Sequence, residues 1–364
     1  RLKNTDILFD VRGGVGFIKL NRPEKHNALS YQMIELLYEQ LKAWKNDDNV
    51  AIVVMEGEGE KALCSGGDVV HLYERKDSNV EEYAFGFFHT EYCMNMLIFT
   101  YPKPILSYMN GYVMGGGVGI CVGTSHRIVT EKTKWAMPEM NIGLYPDVGG
   151  SYFMNKMPGH IGRYLALTSK AIKPVDVLYI GAADYYIESS WWKEMRQAIV
   201  DKTWSVGSAA KDLNTLISGY SKKPSITSAI AKLEEKINHH FGFDTMEEIV
   251  ESLQVSAQKG DEWADDVVKT ILSKSPTSLK VTLKQLIEGK KRSMKECFKM
   301  ELDMSMNFMK NHDFFEGVRS VLVDKDRNAK WDPQTLEDVQ AEFVDSFFSY
   351  PWEGGKNPLD DFEV

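Results

Sequence analysis

Residues Gly115-Gly116-Gly117-Val118-Gly119 put four glycines into five positions. Such a run has no side chains to bury and weakens a helix or strand interior, so its use lies in letting backbone approach something closely. It follows Ile105–Tyr108, which reads as a strand, and a helix opens at the run. A second joint of this kind, Cys64-Ser65-Gly66-Gly67-Asp68, follows the apolar, β-branched stretch Ala51–Met55, which reads as a buried strand. Strand-to-helix joints of this type commit the chain to an α/β architecture.

The rest of the first half fits that frame. Ile7–Val11 and Val15–Leu20 read as strands around an Arg12-Gly13-Gly14 turn. Ser30 is a candidate N-cap for a helix to about Lys45, with Met33, Ile34, Leu37, Leu41 and Trp44 at helical spacing toward the core. A long helix is predicted over Val80–Phe99, stopped by Tyr101-Pro102. Strands are predicted at Arg127–Thr130 and Lys134–Ala136. No exact short-period repeat is visible. From about Ser189 helical patterns take over, and Ser218–Ser228 is the best linker candidate. Later helices are predicted at Ile226–Phe241, Thr245–Val255, Trp263–Ser273, Ser278–Glu288 and Lys295–Lys310. We therefore divide the chain into a core over residues 1–190 and a mainly helical region over 191–364.

Three segments could carry chemistry. Each glycine loop sets bare backbone beside a helix start, where N–H groups are unpaired. Two such donors aimed at one point would form an oxyanion hole. Asp68 is positioned to cap the helix that begins after it. Taken singly, each loop is also explained as a tight turn. The third segment, Met137-Pro138-Glu139 through Pro146-Asp147-Val148-Gly149-Gly150, holds two carboxylates among apolar and small residues. Carboxylates in apolar surroundings have raised pKa values and serve as acid, base or nucleophile. The bland alternative is a surface Glu139 and a turn residue Asp147.

Together, Cys64-Ser65-Gly66-Gly67-Asp68, Asn110-Gly111-Tyr112-Val113-Met114-Gly115-Gly116-Gly117 and Met137-Pro138-Glu139 occur in the order found in the crotonase (enoyl-CoA hydratase/isomerase) superfamily. The opening Leu20-Asn21-Arg22-Pro23-Glu24-Lys25-His26-Asn27-Ala28-Leu29 resembles the same family. The resemblance implies a spiral of ββα units followed here by a helical C-terminal half. It also implies an acyl-CoA substrate whose thioester oxygen sits between the N–H groups of Gly67 and Gly116. Hydratases of this family carry two glutamates. Glu139 corresponds to one, but the position of the other is Gly119. Pro146-Asp147-Val148-Gly149-Gly150 and Phe88-His89-Thr90-Glu91-Tyr92 resemble the 3-hydroxyisobutyryl-CoA hydrolase branch instead. So do Ser275-Pro276-Thr277-Ser278-Leu279-Lys280, His312–Arg319 and Asp324-Lys325-Asp326.

That branch implies hydrolysis of 3-hydroxyisobutyryl-CoA in valine breakdown, with CoA as part of the substrate and no separate cofactor. It implies Glu139 as nucleophile or general base, Asp147 orienting water or the substrate hydroxyl, and Glu91 binding that hydroxyl. A Δ3,Δ2-enoyl-CoA isomerase or hydratase-type enolate chemistry using Glu139 alone stays open. So does a structural or RNA-associated family member. In relatives, the loop holding Lys25, His26 and Asn27 approaches the CoA nucleotide. Small crotonases associate through C-terminal helices, but this C-terminal half differs, so a homo-oligomer is left open.

Other features limit the alternatives. A net charge of −9 without a basic patch argues against nucleic acid and anionic membranes as partners. Apolar runs are too short for a membrane span. The four cysteines form no CxxC pair, which fits a reducing compartment. The histidines, His239-His240 included, lack metal-ligand spacing, so no metal is expected. Met300–Met309 reads as core packing. The sequence opens at Arg1 with no leader pattern; a trimmed and a processed beginning are both open. Bacterial cytoplasm is the expected compartment, with the mitochondrial matrix as the alternative.

Overall fold

The structure is a computed structural model and describes residues 5–363; Arg1 therefore lies outside the described residues. Strands β1 (Ile7–Arg12) and β2 (Val15–Leu20) form the expected hairpin. Gly13 and Gly14 both have positive φ, as a two-residue turn matching the twist of the strands requires. From β2 onward the named strands pair in parallel. The strands β3 (Ile52–Gly57), β4 (Ala62–Cys64), β5 (Ile105–Met109), β6 (Tyr112–Met114), β7 (His126–Val129), β8 (Lys134–Ala136) and β9 (Tyr185–Tyr186) fall into two sheets. One has the order β1-β2-β3-β5-β7-β9, the other β4-β6-β8. Each circuit of the chain thus lays one longer strand in the large sheet and one short strand in the small sheet, then turns away.

Helices fill the return paths. They are α1 (Tyr31–Lys45), α2 (Val70–Glu74), α3 (Val80–Phe99), α4 (Gly116–Gly119), α5 (Gly150–Phe153), α6 (Ile161–Thr168) and α7 (Pro174–Tyr179). Ser30 caps α1 as expected, its side chain accepting the Met33 N–H at 3.1 Å. Asp68 does not cap α2. Its carboxylate pairs with Arg22 at 3.0 Å, and α2 starts without a side-chain cap. The Arg22 guanidinium, reaching over from the Leu20–Leu29 segment, offers the carboxylate a full cation where a cap would offer only backbone N–H groups.

The large sheet is buried on both faces, and strand alternation assigns them. Ile52 and Val54 of β3, with Val15, Phe17, Leu106 and Tyr108, face a cluster covered by α8 (Trp192–Asp201) and α9 (Ala209–Ser218). Trp192 stacks on Tyr108 there with ring centroids 4.0 Å apart, whereas Trp191 is largely exposed. Val53 and Met55 face the other way into the main core, which also takes residues from the later helices. These are α10 (Ala229–Phe241), α11 (Met246–Gln258), α12 (Glu262–Leu272), α13 (Pro276–Gly289), α14 (Met294–Phe308), α15 (His312–Val318) and α16 (Ala341–Asp345). The five later helices read from the sequence correspond to α10 through α14, with ends shifted by a few residues. Met300, Met304, Met306 and Met309 are buried, as expected for core packing. The His239 and His240 rings lie 4.8 Å from each other, and His240 bonds Ser252. Among the described residues no cluster of potential metal ligands is found.

Candidate active site

The small sheet gathers the site. β4, β6 and β8 run parallel in near register, Met114 pairing with Ala136 and Cys64 with Val113. Adjacent strands lie about 4.8 Å apart. Whatever follows their C-terminal ends therefore emerges side by side. After β4 comes Ser65-Gly66-Gly67, after β6 comes Gly115-Gly116, and after β8 comes Met137-Pro138-Glu139. Three segments distant in sequence meet because one parallel sheet ends in one place.

Local backbone geometry then aims the donors. Gly67 forms an isolated parallel bridge with Leu29, through Leu29 N–H to Gly66 C=O and Asp68 N–H to Leu29 C=O, each 2.8 Å. In such a bridge the central residue's own N–H points to the opposite side. Gly116 is the first residue of α4, where an N–H has no partner within the helix. The two glycines touch: a Cβ on Gly116 would lie 3.1 Å from Gly67 N and 3.1 Å from Glu91 Oε2. A Cβ on Gly115 would come 3.0 Å from Glu139 Oε2. Any side chain there would fill the place where these groups converge.

Gly67, Gly116, Glu91, Glu139 and Asp147 all line one cavity of about 660 Å³. Glu139 opens a 3-10 turn after β8 and is 7% exposed, and among the described residues its Oε1 has no hydrogen-bond partner. Burial, then the charges of Asp147, Glu91 and Glu301, pushes its carboxyl well above the usual carboxylate range. Glu91, on α3, is raised by burial and then by Asp147 and Glu301. Asp147 is pushed up to about 6 by burial, against the Tyr92 hydroxyl that donates to its Oδ2 at 2.7 Å. Several carboxylates thus share a desolvated space, and they cannot all ionise cheaply.

The support behind Asp147 was not found from the sequence. Ser305 lies 2.6 Å from both Tyr92 and Tyr145, and Tyr145 donates to the Glu301 carbonyl at 2.7 Å. Gln285 donates to the Pro146 carbonyl at 2.6 Å. Glu301 and Ser305 are one helical turn apart on α14, buried with Met300, Met304 and Met306. Polar and apolar residues alternate over 299–307, so nothing in the sequence sets this pair apart.

Gly119 is closed rather than vacant. A Cβ there would lie 2.7 Å from the Cβ of Val148, which is held at φ 51 despite its branched side chain. Arg22, Lys25 and His71 line the same cavity, as do Val321, Leu322 and Lys325 of the C-terminal half. Asn27 organises the loop beside them, accepting Arg22 N–H and donating to the carbonyls of Glu58 and Ala62.

Comparison with known proteins places these features among relatives. The enoyl-CoA hydratase/isomerase family pattern matches residues 15–348. The chain is 41% identical over 351 residues to a mitochondrial 3-hydroxyisobutyryl-CoA hydrolase of Danio rerio, covering 95% of this chain and 90% of the relative. It is 37% identical to the small ribosomal subunit protein mS47 of Neurospora crassa, covering 92% of this chain and 69% of that one. Among solved structures, a carnitinyl-CoA dehydratase from Mycobacterium thermoresistibile superposes with a TM-score of 0.89 at 35% identity over 99% of both chains.

Proposed function

The chain belongs to the enoyl-CoA hydratase/isomerase family, and on that premise we propose that it hydrolyses 3-hydroxyisobutyryl-CoA to 3-hydroxyisobutyrate and CoA. The observation that carries this reading is the exchange of acids within the site. Hydration needs a second acid at position 119, and Val148 fills that space. The second acid here is Asp147, held by Tyr92 on the same cavity.

The thioester oxygen binds between the N–H groups of Gly67 and Gly116, which stabilise the oxyanion as the carbonyl carbon becomes tetrahedral. Losing one such donor costs about 10²–10³ in rate. Glu139, with one oxygen unpaired, attacks the carbonyl directly or takes a proton from an attacking water. In the first route a Glu139 acyl anhydride forms, CoA leaves as thiolate and takes up a proton, and water then opens the anhydride. In the second, water adds and CoA leaves in one sequence. Asp147 orients the water or the substrate hydroxyl, and Glu91 binds that hydroxyl. Both routes require an ionised Glu139, so activity rises with pH on the acid side.

Thiol release from 3-hydroxyisobutyryl-CoA by wild type, Glu139→Gln and Asp147→Asn tests this, with crotonyl-CoA hydration in parallel. We expect release by the wild type, a loss of at least about a hundredfold in both variants, and negligible hydration. Hydration or double-bond migration that depends on Glu139 alone would overturn the reading in favour of enolate chemistry.

The mitochondrial setting of the Danio rerio relative favours the matrix over the bacterial cytoplasm as the compartment proposed. Among the described residues no helix is long and apolar enough to cross a membrane. The Neurospora relative motivates a second reading, as a component of a ribosomal particle. The net charge of −9 weighs against it, and tight binding of labelled RNA at low salt would support it.

A further inference from the structure

We propose that Glu301, on α14, is the positioning residue that fixes Asp147 for the reaction. This rests on the hydrolase reading above. Glu301 is fully buried and grips the Asp147 segment at both ends. Its Oε1 accepts the Gly149 N–H at 2.8 Å and its Oε2 accepts the Ser151 N–H at 2.9 Å. Its backbone carbonyl accepts the Tyr145 hydroxyl at 2.7 Å. Asp147 lies between these anchors, and its own carbonyl accepts the Gly150 N–H at 2.8 Å. Ser305, one turn along α14, links Tyr145 to Tyr92, whose hydroxyl bonds the Asp147 carboxylate.

The chemistry favours positioning over catalysis for Glu301 itself. Both its oxygens are spent on backbone N–H groups, and it does not line the cavity. Among the described residues no arginine, lysine or histidine bonds it. A buried carboxylate without a cation is costly, but an apolar side chain in its place would leave the Gly149 and Ser151 N–H groups unpaired. What two carboxylate oxygens provide, and a methionine cannot, is a simultaneous hold on two N–H groups of one tight turn. That turn includes Val148 at positive φ, a conformation that persists only when its surroundings enforce it. Burial pushes the Glu301 carboxyl up to about 8, while the Ser151 and Gly149 donors pull it down. Its charge in turn raises Glu139 and Glu91.

The test compares wild type with Glu301→Gln, whose single acceptor oxygen can hold only one of the two N–H groups. Hydrogen–deuterium exchange over residues 149–151, without substrate, should be faster in the variant by about tenfold or more, the scale of one lost hydrogen bond. Thioester hydrolysis should show kcat down by about ten- to a hundredfold, the scale of a misplaced catalytic group, with KM within about threefold. A folded variant with wild-type kcat and wild-type exchange over residues 149–151 would overturn the proposal. So would a loss of rate matched by an equal loss of folded protein. If Glu301→Gln does not fold, Tyr145→Phe removes the other anchor and must lower kcat at constant KM, or the proposal fails. A wild type that hydrolyses no thioester would sink the functional reading, while the exchange comparison would still decide whether Glu301 holds the segment.

Discussion

At the scale of single residues, the site is a set of buried carboxyls tuned by neutral donors rather than by cations. Asp147 shows this most directly. Burial raises its pKa to about 6, and the Tyr92 hydroxyl opposes the rise. Removing that hydroxyl in Tyr92→Phe should therefore raise the Asp147 pKa further. A hydrogen bond to a charged group is worth about 1.5–3 kcal/mol, so the shift should reach about one unit or more. An infrared titration of the carboxyl band, assigned with Asp147→Asn, checks it; an unmoved pKa would mean that the Tyr92 hydroxyl does not hold the charged form. Glu91, Glu139, Asp147, Gly67 and Gly116 line one cavity, and the sequence offers them as candidates because each stands in a short motif that resembles the family's. Asp68 shows the limit of local reading. A cap is judged from neighbours, and nothing within a few residues of Asp68 announces Arg22 as its partner.

At the scale of elements, the alternation along β2, β3 and β5 and the spacing in α1 and α3 carried most of the fold into the sequence. Helix α3 begins and ends where the sequence places it, because Pro102 and the apolar run leave little choice. The short helices α5 to α7 and the irregular stretch after α15 were not read. They are held by tertiary packing, which overrides weak local preference. The Gly119–Val148 contact belongs to this scale, since it joins α4 to the turn before α5. Introducing the missing hydratase acid as Gly119→Glu should fail to create hydration. The new side chain has to displace Val148, and overpacking of this kind costs about 1–3 kcal/mol. A lowered urea midpoint together with no measurable crotonyl-CoA hydration is the expected result. Hydration gained without loss of stability would contradict the closure of that position.

At the scale of the whole molecule, the carboxyl cluster links activity to stability. Asp147 and Glu301 have native pKa values raised above their unfolded values. Their contribution is fully present below the unfolded carboxylate range and is lost as pH rises through about 6 for Asp147 and about 8 for Glu301. For Asp147, a rise from 3.8 to about 6 corresponds to a penalty of about 3 kcal/mol at neutral pH. Asp147→Asn should accordingly raise the Tm at pH 8 and change it little at pH 3, below the unfolded pKa of 3.8, as thermal denaturation at the two pH values would show. An equal change at both would mean that the charge is not the source of the strain.

The hold of α14 on the Asp147 turn has a further consequence for the order in which the enzyme is made. Translation delivers both glycine loops, Glu91, Glu139 and Asp147 about 150 residues before Glu301 leaves the peptidyl-transferase centre. A nascent chain can therefore display every reacting group while the turn that carries one of them is still unfastened. Catalytic competence arrives as a late event in synthesis, so a chain truncated before α14 carries the site's vocabulary without its grammar.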